Sequence, residues 1–175
     1  MSTGNSQPAI QLLVLDVDGV LTTGQLPYLD AGGELKLFHV QDGSSIKLWH
    51  RTGGQSAIIT GRNTPAVEKR AKDLGIHHVI QGVHEKLTPY TNLRDQMGLS
   101  DAEIAVVGDD WLDLEPMRRC GCSFAVANAI PTVKRAARYI TQRPGGHGAI
   151  VEVVQRILRL NGKWNGVLSQ YLKST

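Results

Sequence analysis

Two carboxylates open the chemistry available to this chain. Asp16 and Asp18 are separated by one residue and follow a short apolar run, Leu12-Leu13-Val14-Leu15. The run is rich in branched residues and too short for a helix of its own, so it reads as a buried strand. Gly19 suggests that the chain turns there, which lets Asp18 curl over the strand end. Two acids at the end of a buried strand are costly to leave unpaired, and a divalent cation would compensate them. A carboxylate beside a cation can attack phosphorus and become an aspartyl phosphate. A second acid two residues on can protonate the leaving oxygen and later deprotonate a water. The hydroxyl of Thr60 and the ammonium of Lys86 suit the non-bridging oxygens of a phosphoryl group in transfer. Mg²⁺ fits such an all-oxygen site.

These residues need elements that bring them together. Short apolar runs at Ser56–Ile59, His77–Ile80, Ile104–Val107 and Ser123–Val126 read as further strands, with a sixth, short one at Tyr139-Ile140. Helices are expected between them. One starts at Asp42-Gly43-Ser44-Ser45, carries Ile46, Leu48 and Trp49 and ends at Gly53-Gly54. Another is capped by Thr64, opened by Pro65 and closed near Gly75. Others span Lys86–Met97 and about Trp111–Arg119, a short one opens at Pro131, and an amphipathic one carries Ile150, Val153, Val154, Ile157 and Leu158. Ser100 and Glu103 have capping-box spacing. Strands alternating with helices imply an α/β, Rossmann-like three-layer fold with a mainly parallel sheet covered on both faces. Ligands of such sheets bind beyond the carboxyl ends of the strands. That rule gathers Asp16, Asp18, Thr60 and Asp109 in one crevice, because each follows an apolar run. Leu26 to Phe38 reads as a hairpin turning at Asp30-Ala31-Gly32-Gly33, an insertion after the first strand that is too small for a lid domain.

The bulk numbers are those of an ordinary globular protein. The 175 residues suffice for one domain with a real core, with 41% hydrophobic and 20% charged residues. The net charge of +3 comes without a long Lys/Arg run, so it argues for neither nucleic acid nor membrane. Residues 1–9 read as a flexible tail without the features of a signal peptide, which makes the cytoplasm the expected compartment. Residues 10–161 form the expected domain, with the hairpin at about 25–39. Residues 162–175 are expected as a C-terminal tail or a helix that docks on a partner. Cys120 and Cys122 lack zinc or thioredoxin spacing and read as buried free thiols.

Asp16-x-Asp18-Gly19-Val20, Thr60-Gly61, Lys86 and Gly108-Asp109-Asp110-x-x-Asp113 resemble, in order and spacing, the four motifs of the haloacid dehalogenase superfamily of phosphatases. From about residue 10 to 160 the chain is similar to its small capless branch, which includes the 3-deoxy-D-manno-octulosonate 8-phosphate phosphatases. The features shared with that branch are the hairpin, Phe38-His39-Val40-Gln41-Asp42-Gly43, Ile59-Thr60-Gly61-Arg62, Gln81-Gly82, Gly108-Asp109-Asp110 and Gly145-Gly146-His147-Gly148-Ala149. The resemblance implies Asp16 as nucleophile, Asp18 as general acid and base, and Thr60 and Lys86 as phosphate binders. It implies Mg²⁺ held by Asp16, the main-chain carbonyl of Asp18 and Asp109, with Asp110 and Asp113 in or just outside the coordination sphere. Gly61, Arg62, Gln41, Lys47 and His147 are the candidate substrate contacts. The resemblance further implies a homotetramer whose hairpins meet at the centre and whose active sites are covered by a neighbour. The product would be a sugar acid of outer-membrane lipopolysaccharide.

Three positions depart from the branch's pattern. Gln41 and His147 stand where Arg is usual, and Val151 stands where an Arg-Glu pair would begin. Arg binds a sugar-acid carboxylate bidentately, which Gln and neutral His do less well. Acylneuraminate and ketodeoxynononate 9-phosphates are therefore the alternative substrates. Two other function classes compete. A receiver-type phosphoacceptor would carry its phosphorylated Asp after the third strand, where this chain has Gln81-Gly82. A non-catalytic regulatory domain would not need Asp16, Asp18, Thr60, Lys86 and Asp109 together.

Overall fold

The computed structural model describes residues 8–30 and 32–172. Six parallel strands form one sheet in the order β3-β2-β1-β4-β5-β6. They are β1 (Leu12–Leu15), β2 (Gln55–Ile59), β3 (His78–Ile80), β4 (Ile104–Gly108), β5 (Cys122–Ala125) and β6 (Tyr139–Ile140). Every residue of β1, β4 and β5 is buried, as expected for central strands covered on both faces. The helices are α1 (Val40–Arg51), α2 (Pro65–Leu74), α3 (Leu87–Gln96), α4 (Leu114–Arg119), α5 (Pro131–Ala136), α6 (Ala149–Leu160) and α7 (Trp164–Leu172). Helix α1 packs on α2 and α6, and α6 on α7, while α4 packs on α3 and α5. Right-handed crossovers from a strand order that reverses at β1 put these two groups on opposite faces. The fold is the three-layer α/β arrangement expected from the alternation of strands and helices.

Helix α6 anchors one face. Its Ile150, Val153, Val154, Ile157 and Leu158 are all buried, each worth about 1.5–3 kcal/mol on leaving water. The carboxylate of Asp42, in the first turn of α1, accepts from the amides of Gly148 (3.2 Å) and Ile150 (3.0 Å) at the start of α6. A carboxylate at a helix N-terminus satisfies amides that no helical carbonyl can reach. Helix α1 starts at Val40, two residues before the expected Asp42, and Asp42 caps a different helix from the one it was expected to start.

Other local differences have physical reasons. The expected hairpin holds a single isolated antiparallel bridge, Tyr28 to Glu34. Two short strands with no third strand beside them are marginal in water. Of the expected turn, Ala31 lies outside the described residues, and the amide of Gly32 donates to the Leu29 carbonyl at 2.8 Å. The segment Trp111–Asp113 is a 3-10 turn before α4, because both Asp110 and Asp113 spend their side chains on its first amides. Thr64 precedes α2 in extended conformation without a side-chain capping bond, and its amide donates to Gln81 instead. Ser100 and Glu103 do form the capping box. Of the expected tails, residues 1–7 and 173–175 lie outside the described residues, while Trp164–Leu172 is helical with Val167 buried. No helix among the described residues is long and apolar enough to cross a membrane.

Candidate active site

Strand register builds the site. Leu15 of β1 is level with Ile58 of β2 and Val107 of β4. Asp16 then lies beside Ile59 and Gly108, and Thr60 and Asp109 follow one residue further on. All three sit where the strand order reverses, the position at which a parallel sheet leaves a crevice. After Asp16 the chain closes a tight turn, with the amides of Leu21 and Thr22 donating to the Val17 carbonyl at 2.9 and 3.0 Å. Gly19 makes this turn possible. Its φ is +102°, and a Cβ there would stand 2.0 Å from Oδ2 of Asp109.

Asp16, Asp18, Thr60, Gly61, Arg62, Lys86, Asp109, Asp110 and Asp113 line one cavity of about 160 Å³, together with Leu112. Lys86 enters from the residue before α3. Its ammonium donates to Asp16 Oδ1 at 2.5 Å and to Asp113 Oδ1 at 2.7 Å. The other oxygen of Asp113 accepts from the amides of Asp109 (3.0 Å) and Asp110 (3.3 Å). Asp113 thus ties Lys86 to the β4 loop and has both oxygens engaged. Thr60 is 2% exposed, and its main chain bonds to Ile80 and Val83.

The electrostatics ask for positive charge. Burial pushes the Asp16 carboxyl up, against the pull of Lys86. Burial, then the charges of Asp16 and Asp113, push Asp109 up to about 8. For Lys86, burial works downward, but Asp16 and Asp113 outweigh it and hold the ammonium up at about 12. One oxygen each of Asp16, Asp109 and Asp113 fall within 4.8 Å of one another. Oδ1 of Asp109 is buried without a hydrogen-bond partner. Since Asp113 is already engaged, Asp16 and Asp109 are the carboxylates left for a cation. A hard divalent ion with one or two carboxylates fits this donor set, and its charge would reverse both upward shifts.

Three expected contacts lie elsewhere. Gln41 is exposed and accepts from Arg143 at 3.4 Å. Lys47 is exposed beside Ser44, His50, Arg51 and Leu74. It lies two turns into α1, about 10 Å down the helix from its start. His147 is exposed too, while its glycine neighbours meet the site. Gly146 donates to the Val20 carbonyl at 3.0 Å, and a Cβ on Gly145 would stand 1.7 Å from the Gly19 carbonyl oxygen. The glycine-rich loop thus buttresses the turn that carries Asp18. Asn128 joins in by accepting from the Gly145 amide at 2.7 Å.

Two residues that sequence reasoning did not single out also reach the site. Lys36 donates to Asp18 Oδ1 at 2.5 Å and meets Glu34 Oε1 at 3.0 Å, and Glu34 also pairs with Arg62. The alternation Glu34-Leu35-Lys36-Leu37 is a visible signal of one face turned inward, but nothing in it names the partner. A wider cavity of about 710 Å³, walled by Tyr28, Glu34, Asn63 and Thr64, adjoins the first at Gly61 and Arg62.

Comparison with known proteins accounts for this arrangement. Residues 78–153 match the haloacid dehalogenase-like hydrolase family. The 3-deoxy-D-manno-octulosonate 8-phosphate phosphatase KdsC of Escherichia coli is 42% identical over 154 residues, covering 88% of this chain and 82% of that protein. The crystal structure of a probable YrbI family phosphatase from Pseudomonas syringae superposes with a TM-score of 0.92 at 43% identity, over 95% of each chain. The octulosonate 8-phosphate phosphatase of Moraxella catarrhalis, solved with magnesium ion, phosphate ion and KDO, gives 0.90 at 38% identity over 93% of each chain. Likeness on this scale covers the β1 end, which the family match at residues 78–153 leaves out. The chain belongs to the haloacid dehalogenase-like hydrolases, in the family of the 3-deoxy-D-manno-octulosonate 8-phosphate phosphatases, and is an enzyme of the phosphoric monoester hydrolase class.

Proposed function

We propose that the chain hydrolyses 3-deoxy-D-manno-octulosonate 8-phosphate to the free sugar acid and phosphate, with Mg²⁺ and through an aspartyl phosphate on Asp16. The observation that carries this reading is the group of buried Asp16, Lys86 and Asp113 with half-buried Asp109 at the strand ends, one Asp109 oxygen lacking a partner. Bound Mg²⁺ would neutralise charge on the phosphoryl oxygens, held by Asp16, the Asp18 carbonyl and Asp109. Asp16 attacks phosphorus. Asp18 gives a proton to the departing sugar oxygen and then takes one from the water that cleaves the aspartyl phosphate. Lys86 and Thr60 bind the non-bridging oxygens. Asp113 holds Lys86, and Asp110 stays outside the coordination sphere.

The wider cavity beside Gly61 and Arg62 is suited to the sugar. Gln41 and His147, the departures that opened the nine-carbon alternative, line neither cavity. The octulosonate 8-phosphate phosphatase relatives support the eight-carbon substrate. The exposed Tyr28, Leu29, Leu35 and Leu37 on the arm after β1 support assembly into a homotetramer around that arm. We place the enzyme in the cytoplasm, where the sugar acid would be released. The test is phosphate release with Mg²⁺ from octulosonate 8-phosphate, acylneuraminate 9-phosphate, ketodeoxynononate 9-phosphate and hexose phosphates, side by side. Preference for the octulosonate ester is expected. Preference for a nine-carbon acid would overturn the substrate.

A further inference from the structure

Lys36 lies 18 residues beyond Asp18, on the returning limb of the arm. Its side chain is nonetheless only 2% exposed. An ammonium is that deeply covered only when anions hold it. Here they are Asp18 Oδ1 at 2.5 Å and Glu34 Oε1 at 3.0 Å. Glu34 is fixed in turn by Arg62. The second oxygen of Asp18 is different. Oδ2 is buried, has no hydrogen-bond partner and stands 3.9 Å from Arg62 Nε. One oxygen of Asp18 is therefore pinned by a short hydrogen bond, while the other faces Arg62 without one. The flanking Leu35 and Leu37 are 48% and 64% exposed, so the limb turns its charges inward and its apolar side chains outward.

We propose that Lys36 is a positioning residue for Asp18, clamping Oδ1 so that Oδ2 is the oxygen presented to the reacting bond. This rests on the phosphatase reading above. In the first step an Asp16 oxygen bonds to phosphorus, the ester P–O bond breaks, and the proton on Asp18 passes to the leaving oxygen. In the second step water bonds to phosphorus, its proton goes to Asp18, and Asp16 leaves as carboxylate. Lys36 touches neither phosphorus nor the leaving group. An acid held within reach of the departing oxygen matters in proportion to how poor the leaving group is. Geometry of this kind costs rate when it loosens, even with every reacting group still present.

The test compares Lys36→Met and Lys36→Arg with wild type on two esters of similar shape, p-nitrophenyl phosphate and phenyl phosphate. The first leaves readily without a proton, and the second does not. For Lys36→Met, kcat/KM on phenyl phosphate should fall by roughly tenfold or more, while that on p-nitrophenyl phosphate stays within about threefold. Lys36→Arg should recover most of the loss. Equal losses on both esters would overturn the proposal, because a folding defect or a phosphate contact lowers both together. Should Lys36→Met fail to fold, Glu34→Gln removes the second anchor of Lys36 and must show the same bias in weaker form. Equal losses in that variant would again overturn it. A wild type inert on both esters and on octulosonate 8-phosphate would remove the phosphatase reading itself, a separate outcome.

Discussion

Replacing Asp109 by Asn should make the metal-free protein more stable while weakening its response to Mg²⁺. Asp109 has one oxygen buried without a partner, and it shares its crevice with Asp16 and Asp113. Burial and those two carboxylates lift its folded-state pKa from 3.8 to about 8. A carboxyl raised on folding costs nothing below the unfolded-state value, costs progressively more as pH rises towards the folded-state value, and costs a constant amount above it. Each tenfold change in proton affinity is about 1.4 kcal/mol, which sets a ceiling of roughly 5–6 kcal/mol. Asp109 is only partly buried, and solvent at the mouth of the crevice screens its charge, so about 2–3 kcal/mol is the working figure. The assay is urea unfolding of wild type and Asp109→Asn with chelator at pH 5, 7 and 8, repeated with Mg²⁺. The variant's advantage should be small at pH 5, largest at pH 8, and erased when Mg²⁺ stabilises the wild type more than the variant. A variant less stable than wild type at pH 8 without metal would refute the reasoning.

Three further outcomes follow from the same geometry. Asp16→Asn should abolish turnover yet keep part of the Mg²⁺-linked rise in melting temperature, because Asp109 and the Asp18 carbonyl remain; residual activity would dismiss Asp16 as nucleophile. Gly145→Ala drives a Cβ to 1.7 Å from the Gly19 carbonyl oxygen, so it should destabilise by about 1–3 kcal/mol in chemical denaturation and lower kcat by moving the Asp18 turn. Lys47→Ala should leave kcat/KM within about twofold, since Lys47 sits on the flank of α1 beside His50 and Leu74; a large rise in KM would put it back in the site.

The strand-end residues were legible because buried parallel strands leave an unusually plain trace. Leu12–Leu15 and Ser56–Ile59 are each followed by a buried polar residue, Asp16 and Thr60, and Ile104–Val107 leads through Gly108 to the half-buried Asp109. Sheet order did not need to be known, since any doubly wound sheet gathers such ends on one edge. Charge pairing across the arm was not legible in the same way. Lys36 reaches Asp18 only because the arm folds back over the crevice, and a limb with one isolated bridge leaves little pattern beyond its alternation. The glycines around the exposed His147 are needed for close packing against Gly19 and Thr22, a role that the sequence pattern alone does not separate from a substrate contact. Gln41 is exposed on the first turn of α1, and the neighbouring Asp42 carboxylate serves the first amides of α6.

The most direct test of covalent catalysis at Asp16 is to quench the enzyme with borohydride during steady-state turnover of octulosonate 8-phosphate and map the product by mass spectrometry. Borohydride reduces an aspartyl phosphate to homoserine. Homoserine at position 16, dependent on substrate and Mg²⁺ and absent from Asp16→Asn, is the expected result. Full turnover with an unmodified Asp16, under quench conditions that trap a known aspartyl phosphate, would contradict it.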